Sequence, residues 1–303
     1  MRSVLVFGNA TLDVIQHVPR LPVAGETLLS NPPLRCAGGK GLNQAIAAAR
    51  TGVNTRLVAA IGADADAEML KRLAEGEHGL DIDWLIRAGL PTDMSSIWVA
   101  RDGENMIVSS ALCAYSIGPE EAASACAGLG SGDVLLVQGN LAAEPTLAAA
   151  LTARSAGATT ILNTAPIQRD MAAWLGSFNV VITNAVEAAE LTGLDCNAAV
   201  TALQCATAGV AIATMGAKGA LFADSTGTTL LPAPNVDVVD ASGAGDVMVG
   251  TLAGLVVQGF SLKQAAMIAV AAASLSVTRI GTSPSFPSAA ELTELVNRGA
   301  LAR

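Results

Sequence analysis

Short apolar runs alternate with alanine-rich stretches of helical period along almost the whole chain. RSVLVFG (2–8), TRLVAAIG (55–62), DVLLVQG (133–139), TTILNTAP (159–166), VVITN (180–184), GVAIATMG (209–216) and GALFAD (219–224) read as strands. NQAIAAARTG (43–52), AEMLKRLAEGEHG (67–79), TLAAALTARSAG (146–157) and AVEAAELTG (185–193) read as helices, the first closed by Gly52. Strand, helix, strand in this order predicts an α/β fold. The strands are continuous apolar runs, as expected for a mainly parallel sheet covered by helices on both faces, a three-layer α/β/α sandwich.

Two regions break this rhythm. Residues 13–34 contain four prolines and no helical pattern. Residues 95–110 (SSIWVARDGENMIVSS) read as two alternating strands joined by RDGE, a hairpin signal. Together they predict a small β-sheet lid, formed by approximately 13–34 and 95–110, over a cleft. The chain shows no internal repeat, low-complexity tract or flexible linker, so 1–303 reads as a single domain.

A hydrophobic share of 51% against 14% charged residues predicts a large core. The mean hydropathy of +0.49 raises the question of a membrane span. MVGTLAGLVVQGF (248–260) and AAMIAVAAASLSV (265–277) are shorter than the roughly 20 residues a span needs. They read as tightly packed core helices, and the N-terminal apolar run reads as a strand, not a signal peptide. The net charge of −9 speaks against nucleic acid and against an anionic membrane as partners. Five cysteines in no metal-binding spacing suggest reduced thiols and a cytoplasmic protein.

Two glycine clusters carry the candidate chemistry. Ser242, Gly243, Ala244 and Gly245 precede a helix expected over 246–258. The N–H groups at a helix start lack partners and carry partial positive charge, and small residues let an anion approach them. Asp246, in the first turn, can take a proton from a hydroxyl nucleophile. It can equally be a helix cap, with the glycines only a tight turn. GxGxxG fails because residue 248 is Met, and no GxxxxGK[ST] occurs. In RCAGGKGLNQAIAAA (35–49), Gly38 and Gly39 again stand before a helix, where they could admit a polyhydroxyl substrate, with Asn43 as a hydrogen-bonding side chain. Asp13 follows the first strand, where that strand meets the lid.

GGKGLNQA and DASGAGD resemble the two signatures of the ribokinase-like (PfkB) carbohydrate kinases. NTAPI (163–167), TNAVEAAELTG (183–193), TMGAKGA (214–220) and VTRIGTSPSFP (277–287) resemble ribokinase segments in the same order, nearly end to end. The resemblance implies ATP-dependent phosphorylation of a sugar or nucleoside hydroxyl, with Asp246 as catalytic base. It implies that Gly243, Ala244 and Gly245 form the anion hole for the γ-phosphate. Asn184 and Glu187 match an NxxE motif that organises Mg²⁺ and its waters. Thr214, Gly216 and Gly219 match the nucleotide-side loop. Asp13, Gly39 and Asn43 match sugar contacts, and Lys40, between glycines, is a further candidate. Asp240, Ser242 and Val277 fall where ribokinases hold a monovalent cation, implying K⁺. A lid sheet that pairs two subunits in this family implies a homodimer.

The sequence departs from ribokinase near one pocket. Thr11 stands where ribokinase has Asn, Asn140 where it has a sugar-contacting Glu, and ALCA (111–114) replaces a stretch containing Asn. These changes put ribose itself in question and leave the phosphate machinery intact. A nucleoside kinase is a rival, for which Trp98 could line a base slot. A catalytically weak sugar- or nucleotide-binding protein is another, opposed by the intact base. A nicotinamide-dependent oxidoreductase lacks its glycine motif. His17 and His78 read as surface residues, with a substrate contact open for His17. Trp98 and Ile107 could line the pocket or a dimer contact.

Overall fold

The structure, a computed structural model, describes residues 2–101 and 104–301. Its strands are β1 (Ser3–Phe7), β2 (Thr11–His17), β3 (Leu34–Gly38), β4 (Asn54–Gly62), β5 (Leu80–Arg87), β6 (Met94–Val99), β7 (Asn105–Ser109), β8 (Val134–Gln138), β9 (Thr159–Asn163), β10 (Val180–Asn184), β11 (Val210–Thr214), β12 (Ala220–Asp224) and β13 (Gly227–Leu231). Its α-helices are α1 (Lys40–Ala49), α2 (Ala65–Ala74), α3 (Leu112–Tyr115), α4 (Pro119–Cys126), α5 (Ala143–Ser155), α6 (Ala185–Thr192), α7 (Cys196–Ala206), α8 (Ala244–Val257), α9 (Leu262–Ser276) and α10 (Ala289–Leu301).

Among the described residues, nine strands form one sheet in the order β13-β12-β11-β10-β9-β8-β1-β4-β5. From β11 to β5 every pairing is parallel, and β12 and β13 close the other edge as antiparallel strands. Successive side chains of a strand point to opposite faces. On β1, Val4 and Val6 enter the core shared with α1, α2, α8, α9 and α10, while Leu5 and Phe7 enter the core shared with α3 to α7. Both faces are therefore covered, as the continuous apolar runs require. A smaller four-stranded sheet, β3-β2-β6-β7, stands apart from the large one. Of the expected RDGE turn, Asp102 and Gly103 lie outside the described residues. β7 does not alternate as expected: all five of its residues are exposed.

The helices at the two glycine clusters, like α2 and α5, begin earlier than the sequence pattern suggests. α1 starts at Lys40, not Asn43, and α8 starts at Ala244, not Asp246. In each case a glycine takes the N-cap place, Gly39 with φ 92° and Gly243 with φ 77°. A periodicity reading starts a helix at its first recognisable helix former, so it misses the glycine-led turn before it.

α8 and α1 pack closely because α8 presents Gly250 and Gly254 to α1. A Cβ at 250 would stand 2.3 Å from the Gln44 carbonyl oxygen, and one at 254 would stand 2.2 Å from Thr51 Oγ1. The two long apolar runs are thus a close-packed core, and among the described residues no helix is long and apolar enough to cross a membrane.

Candidate functional site

β1, β8, β9, β10 and β11 run parallel, so their carboxyl ends share one edge of the sheet. The chain leaves β1 toward β4 and β5, then returns to β8 on the other side of β1. This reversal opens a crevice outside the carboxyl ends of β1 and β8, the usual ligand position in such sheets. Asn9 follows β1 and Asn140 follows β8, and Asn140 Nδ2 donates to Asn9 Oδ1 across the crevice. Gly41 N donates to the same oxygen at 3.1 Å, tying α1 to this point. Nothing in the sequence reading singled out Asn9. Its signal is positional: the second residue after the first strand of a doubly wound sheet lies at the switch point.

Asp13 lies on β2 of the small sheet, two residues after the start of that strand, and is buried. Ser109 Oγ donates to Ser95 Oγ at 2.9 Å, Ser95 Oγ to Thr11 Oγ1 at 3.4 Å, and Thr11 Oγ1 to Asp13 Oδ1 at 2.7 Å. This hydroxyl chain crosses from β7 through β6 to β2. Thr11 therefore supports Asp13 directly. Burial pushes the Asp13 carboxyl above its ordinary range; the hydrogen bonds from Thr11 and Ser95 oppose the rise, and the charge of Asp246 adds to it. Gly38 lies against this carboxylate, for a Cβ there would stand 1.9 Å from Asp13 Oδ2. Gly39 and Lys40 follow at the start of α1, both half-buried.

Asp246 is 7% exposed and does not cap its helix: Gly243 is the N-cap, and no side chain caps that end. Instead the Asp246 carboxylate accepts two amide donors from consecutive residues of α1. Asn43 Nδ2 donates to Oδ2 at 3.0 Å, and Gln44 Nε2 donates to Oδ1 at 2.9 Å. The capping reading of Asp246 therefore fails. Gln44 was another residue the sequence reading passed over, since a glutamine beside a candidate asparagine looks like an ordinary helix former. Asn43 Oδ1 and Asn140 Oδ1 are buried and carry no hydrogen bond. Leaving such an acceptor unmatched costs about 1–3 kcal/mol, so both are suited to receive ligand hydroxyls.

The GAG turn sits at the amino end of α8. Gly243 is required there, because a Cβ would meet Phe286 Cε1 at 2.7 Å. A Cβ on Gly245 would meet nothing within 4 Å, so the space above the first-turn amides is open. Beside the turn, Asp240 Oδ1 accepts Ser242 N at 2.9 Å and Oδ2 accepts Gly281 N at 2.9 Å. Burial works against the Asp240 carboxylate, yet these amides hold it below its ordinary range. Val277 O accepts Val239 N at 2.7 Å and Asp240 N at 3.1 Å.

On the far side, Asn184 ends β10 and caps α6. Its Oδ1 accepts Glu187 N at 2.8 Å, while Glu187 Oε2 accepts Asn184 N at 3.1 Å, a reciprocal capping box. Thr164 Oγ1 also donates to Glu187 Oε2 at 2.9 Å. The other carboxylate oxygen, Oε1, keeps its acceptor capacity. Thr214 ends β11, and Gly216 and Gly219 flank the short turn to β12, each with positive φ. Among the described residues no group of three or more His, Cys, Asp or Glu is assembled to cage a metal.

Of the other singled-out residues, His17 lies near enough to Asp240 for its charge to help hold that carboxylate low. His17 and His78 are exposed, as expected. Trp98 Nε1 donates to Gln16 Oε1 at 3.1 Å within the small sheet, and Ile107 is exposed on β7. In the ALCA stretch, Cys113 N and Ala114 N donate to the Asp93 carboxylate at 3.2 and 2.9 Å. The cysteines are free thiols, and burial pushes Cys113 up to about 11 and Cys126 up to about 12.

Comparison with known proteins bears on this geometry. Residues 1–289 match the family described as pfkB family carbohydrate kinase. The chain is 29% identical over 307 aligned positions to the bifunctional ribokinase/ribose-5-phosphate isomerase A of Fructilactobacillus sanfranciscensis, covering 98% of this chain and 57% of that protein. It therefore spans little more than half of that relative's length. It is 28% identical to the ribokinase of Haemophilus influenzae, covering 97% of this chain and 98% of the relative. The structure of Arabidopsis thaliana ribokinase complexed with ribose and ATP superposes with a TM-score of 0.83 at 25% identity, covering 97% of this chain and 98% of that one.

Proposed function

Because the chain belongs to the pfkB family of carbohydrate kinases, we propose that it transfers the γ-phosphate of ATP to a hydroxyl of a small sugar, ribose or a related sugar, with Asp246 as general base. The observation that carries this reading is the position of Asp246. It stands in the first turn of α8, gives up capping to Gly243, and is held by Asn43 and Gln44 beside amides that no side chain covers.

In this reading the acceptor sugar lies in the crevice between Asp13 and Asp246. Asp13, Gly38, Gly39, Lys40, Asn43 and Asn140 line its site, and Thr11 acts through Asp13. As the sugar oxygen forms its bond to the γ-phosphorus, its proton passes to Asp246. The bond from that phosphorus to the bridging oxygen breaks, and ADP leaves. The amides of Gly243 and Gly245, and that of Ala244 on exchanging its 3.3 Å bond to the Ala241 carbonyl, meet the charge on the transferring group, a contribution of several kcal/mol where water is excluded. Thr214, Gly216 and Gly219 flank the nucleotide. The small sheet acts as a lid that excludes water.

Mg²⁺ suits Glu187 and Asn184: hard oxygen donors, few in number, fit an ion that keeps most of its waters and binds through phosphates. When bound it would neutralise charge on the phosphate oxygens. The K⁺ reading rests on Asp240, Ser242 and the Val277 carbonyl, whose oxygen also accepts two N–H groups. Free thiols fit a cytoplasmic setting. The exposed apolar residues Met106, Ile107 and Val108 on edge strand β7 support a homodimer through the lid. Light scattering should then give twice the chain mass at working concentrations, and a monomer would count against it.

The function is tested by ATP turnover with Mg²⁺ and K⁺ against pentoses, hexoses and nucleosides. Stimulation by a sugar supports the reading. Stimulation by nucleosides alone would replace it.

A further inference from the structure

We propose that Gln44 is a positioning residue that fixes the carboxylate of Asp246 for proton transfer; this rests on Asp246 being the base. Gln44 is fully buried, and its side-chain amide is engaged on both ends. Nε2 donates to Asp246 Oδ1 at 2.9 Å and to Asn163 Oδ1 at 3.0 Å, while Oε1 accepts Gln138 Nε2 at 2.9 Å. Asn163 Nδ2 in turn donates to the Ile182 carbonyl at 3.2 Å. These bonds join α1, α8, the ends of β8 and β9 and the middle of β10 into one buried polar chain.

The orientation follows from the bookkeeping of donors. An amide NH₂ has two hydrogens, and Gln44 commits one to Asp246 and one to Asn163. Its carbonyl is held by Gln138, so the amide cannot rotate without breaking three bonds. Oδ1 of Asp246 is thereby fixed from below by a group that never meets substrate. Oδ2 accepts Asn43 Nδ2 and keeps a second acceptor direction, through which it takes the proton in this proposal. Gln138 Oε1 is buried without a donor, but every polar atom of the Gln44 side chain is paired. In a low-dielectric interior an amide paired in this way is held firmly, and a misplaced base loses rate steeply. Gly250 makes the contact possible, since any side chain there would strike the Gln44 backbone oxygen.

The test compares Gln44→Glu, Gln44→Met and Asp246→Asn in the full chain, by kcat and KM against pH and by thermal midpoint. Glutamate keeps the volume and the acceptor for Gln138 but sets a second carboxylate oxygen beside Asp246 Oδ1. A neighbouring like charge raises a carboxyl pKa. Asp13, whose charge also couples to Asp246, is unchanged in these variants. The acid limb of the kcat profile should move to higher pH in Gln44→Glu. In both Gln44 variants kcat at pH 7 should fall about 10- to 100-fold, the equivalent of one charge-assisted hydrogen bond, with KM for ATP within about twofold. Variants with parental kcat and an unmoved limb overturn the proposal. So does a lowered thermal midpoint with unchanged kcat per folded molecule, which marks a purely structural role. If Asp246→Asn itself keeps kcat, the base assignment fails first; if it loses kcat while the Gln44 variants do not, only the positioning role fails.

Discussion

Asn43 Nδ2 donates to Asp246 Oδ2 at 3.0 Å, although the two residues stand 203 positions apart in the chain. The contact joins the two glycine-led helices, one from each end of the sequence. It also leaves Asn43 Oδ1 buried without a donor. If a sugar hydroxyl fills that need, Asn43→Ala should lower kcat/KM for the acceptor about 10- to 100-fold, as expected for a lost hydrogen bond next to a charge. KM for ATP should hardly change. Steady-state kinetics with each substrate varied in turn separates the two, and a loss confined to ATP would assign Asn43 to the wrong partner.

The same contact depends on how closely α1 and α8 approach. Gly250→Ala places a methyl group 2.3 Å from the Gln44 carbonyl oxygen. The helices must separate, which should cost about 1–3 kcal/mol of stability, the usual range for overpacking a filled core. The urea midpoint should fall with an unchanged m-value, and kcat should drop with it because Asn43 and Gln44 move off Asp246. An unchanged midpoint would mean that the interface has slack which the structure does not contain.

Asp13 predicts a trade between stability and activity. Burial holds its carboxyl above the ordinary value of 3.8 in the folded protein. The folded chain thus binds this proton more tightly than the unfolded chain, and stability is lost as pH rises from 3.8 through the raised value. Asp13→Asn removes that cost. The thermal midpoint of the variant should exceed that of the parent at pH 7, and the gap should close as the pH approaches 3.8. Activity should fall in the same variant, since the carboxylate is the proposed sugar anchor. A midpoint difference independent of pH would contradict the sign.

The layered fold was legible because its central strands are continuous apolar runs: the seven read as strands correspond to β1, β4 and β8 to β12. β5 was passed over because LDIDWLIR is an edge strand with alternating exposure and two carboxylates. The family motifs located Asp246, Asn43 and Glu187, but not what holds them. Gln44, Gln138 and Asn163 are ordinary residues in sequence, and only the sheet and the α1–α8 packing bring their amides together. Likewise Glu187 was read through its motif alone, while the structure adds that the same four residues close the end of α6. Whether a residue is bonded within the protein or free for a ligand depends on partners far away in the chain, which local pattern does not encode.

The most direct measurement is sugar-stimulated ADP release by the wild-type chain and Asp246→Asn, at saturating ATP and Mg²⁺ and pH 7.5, across a panel of pentoses and hexoses. With Asp246 as the base, one sugar should stimulate turnover, and the variant should lose about 10²- to 10⁴-fold in kcat while KM for ATP is retained. Near-normal kcat in the variant, with the same sugar, would contradict the assignment of Asp246 and with it the mechanism built on this site.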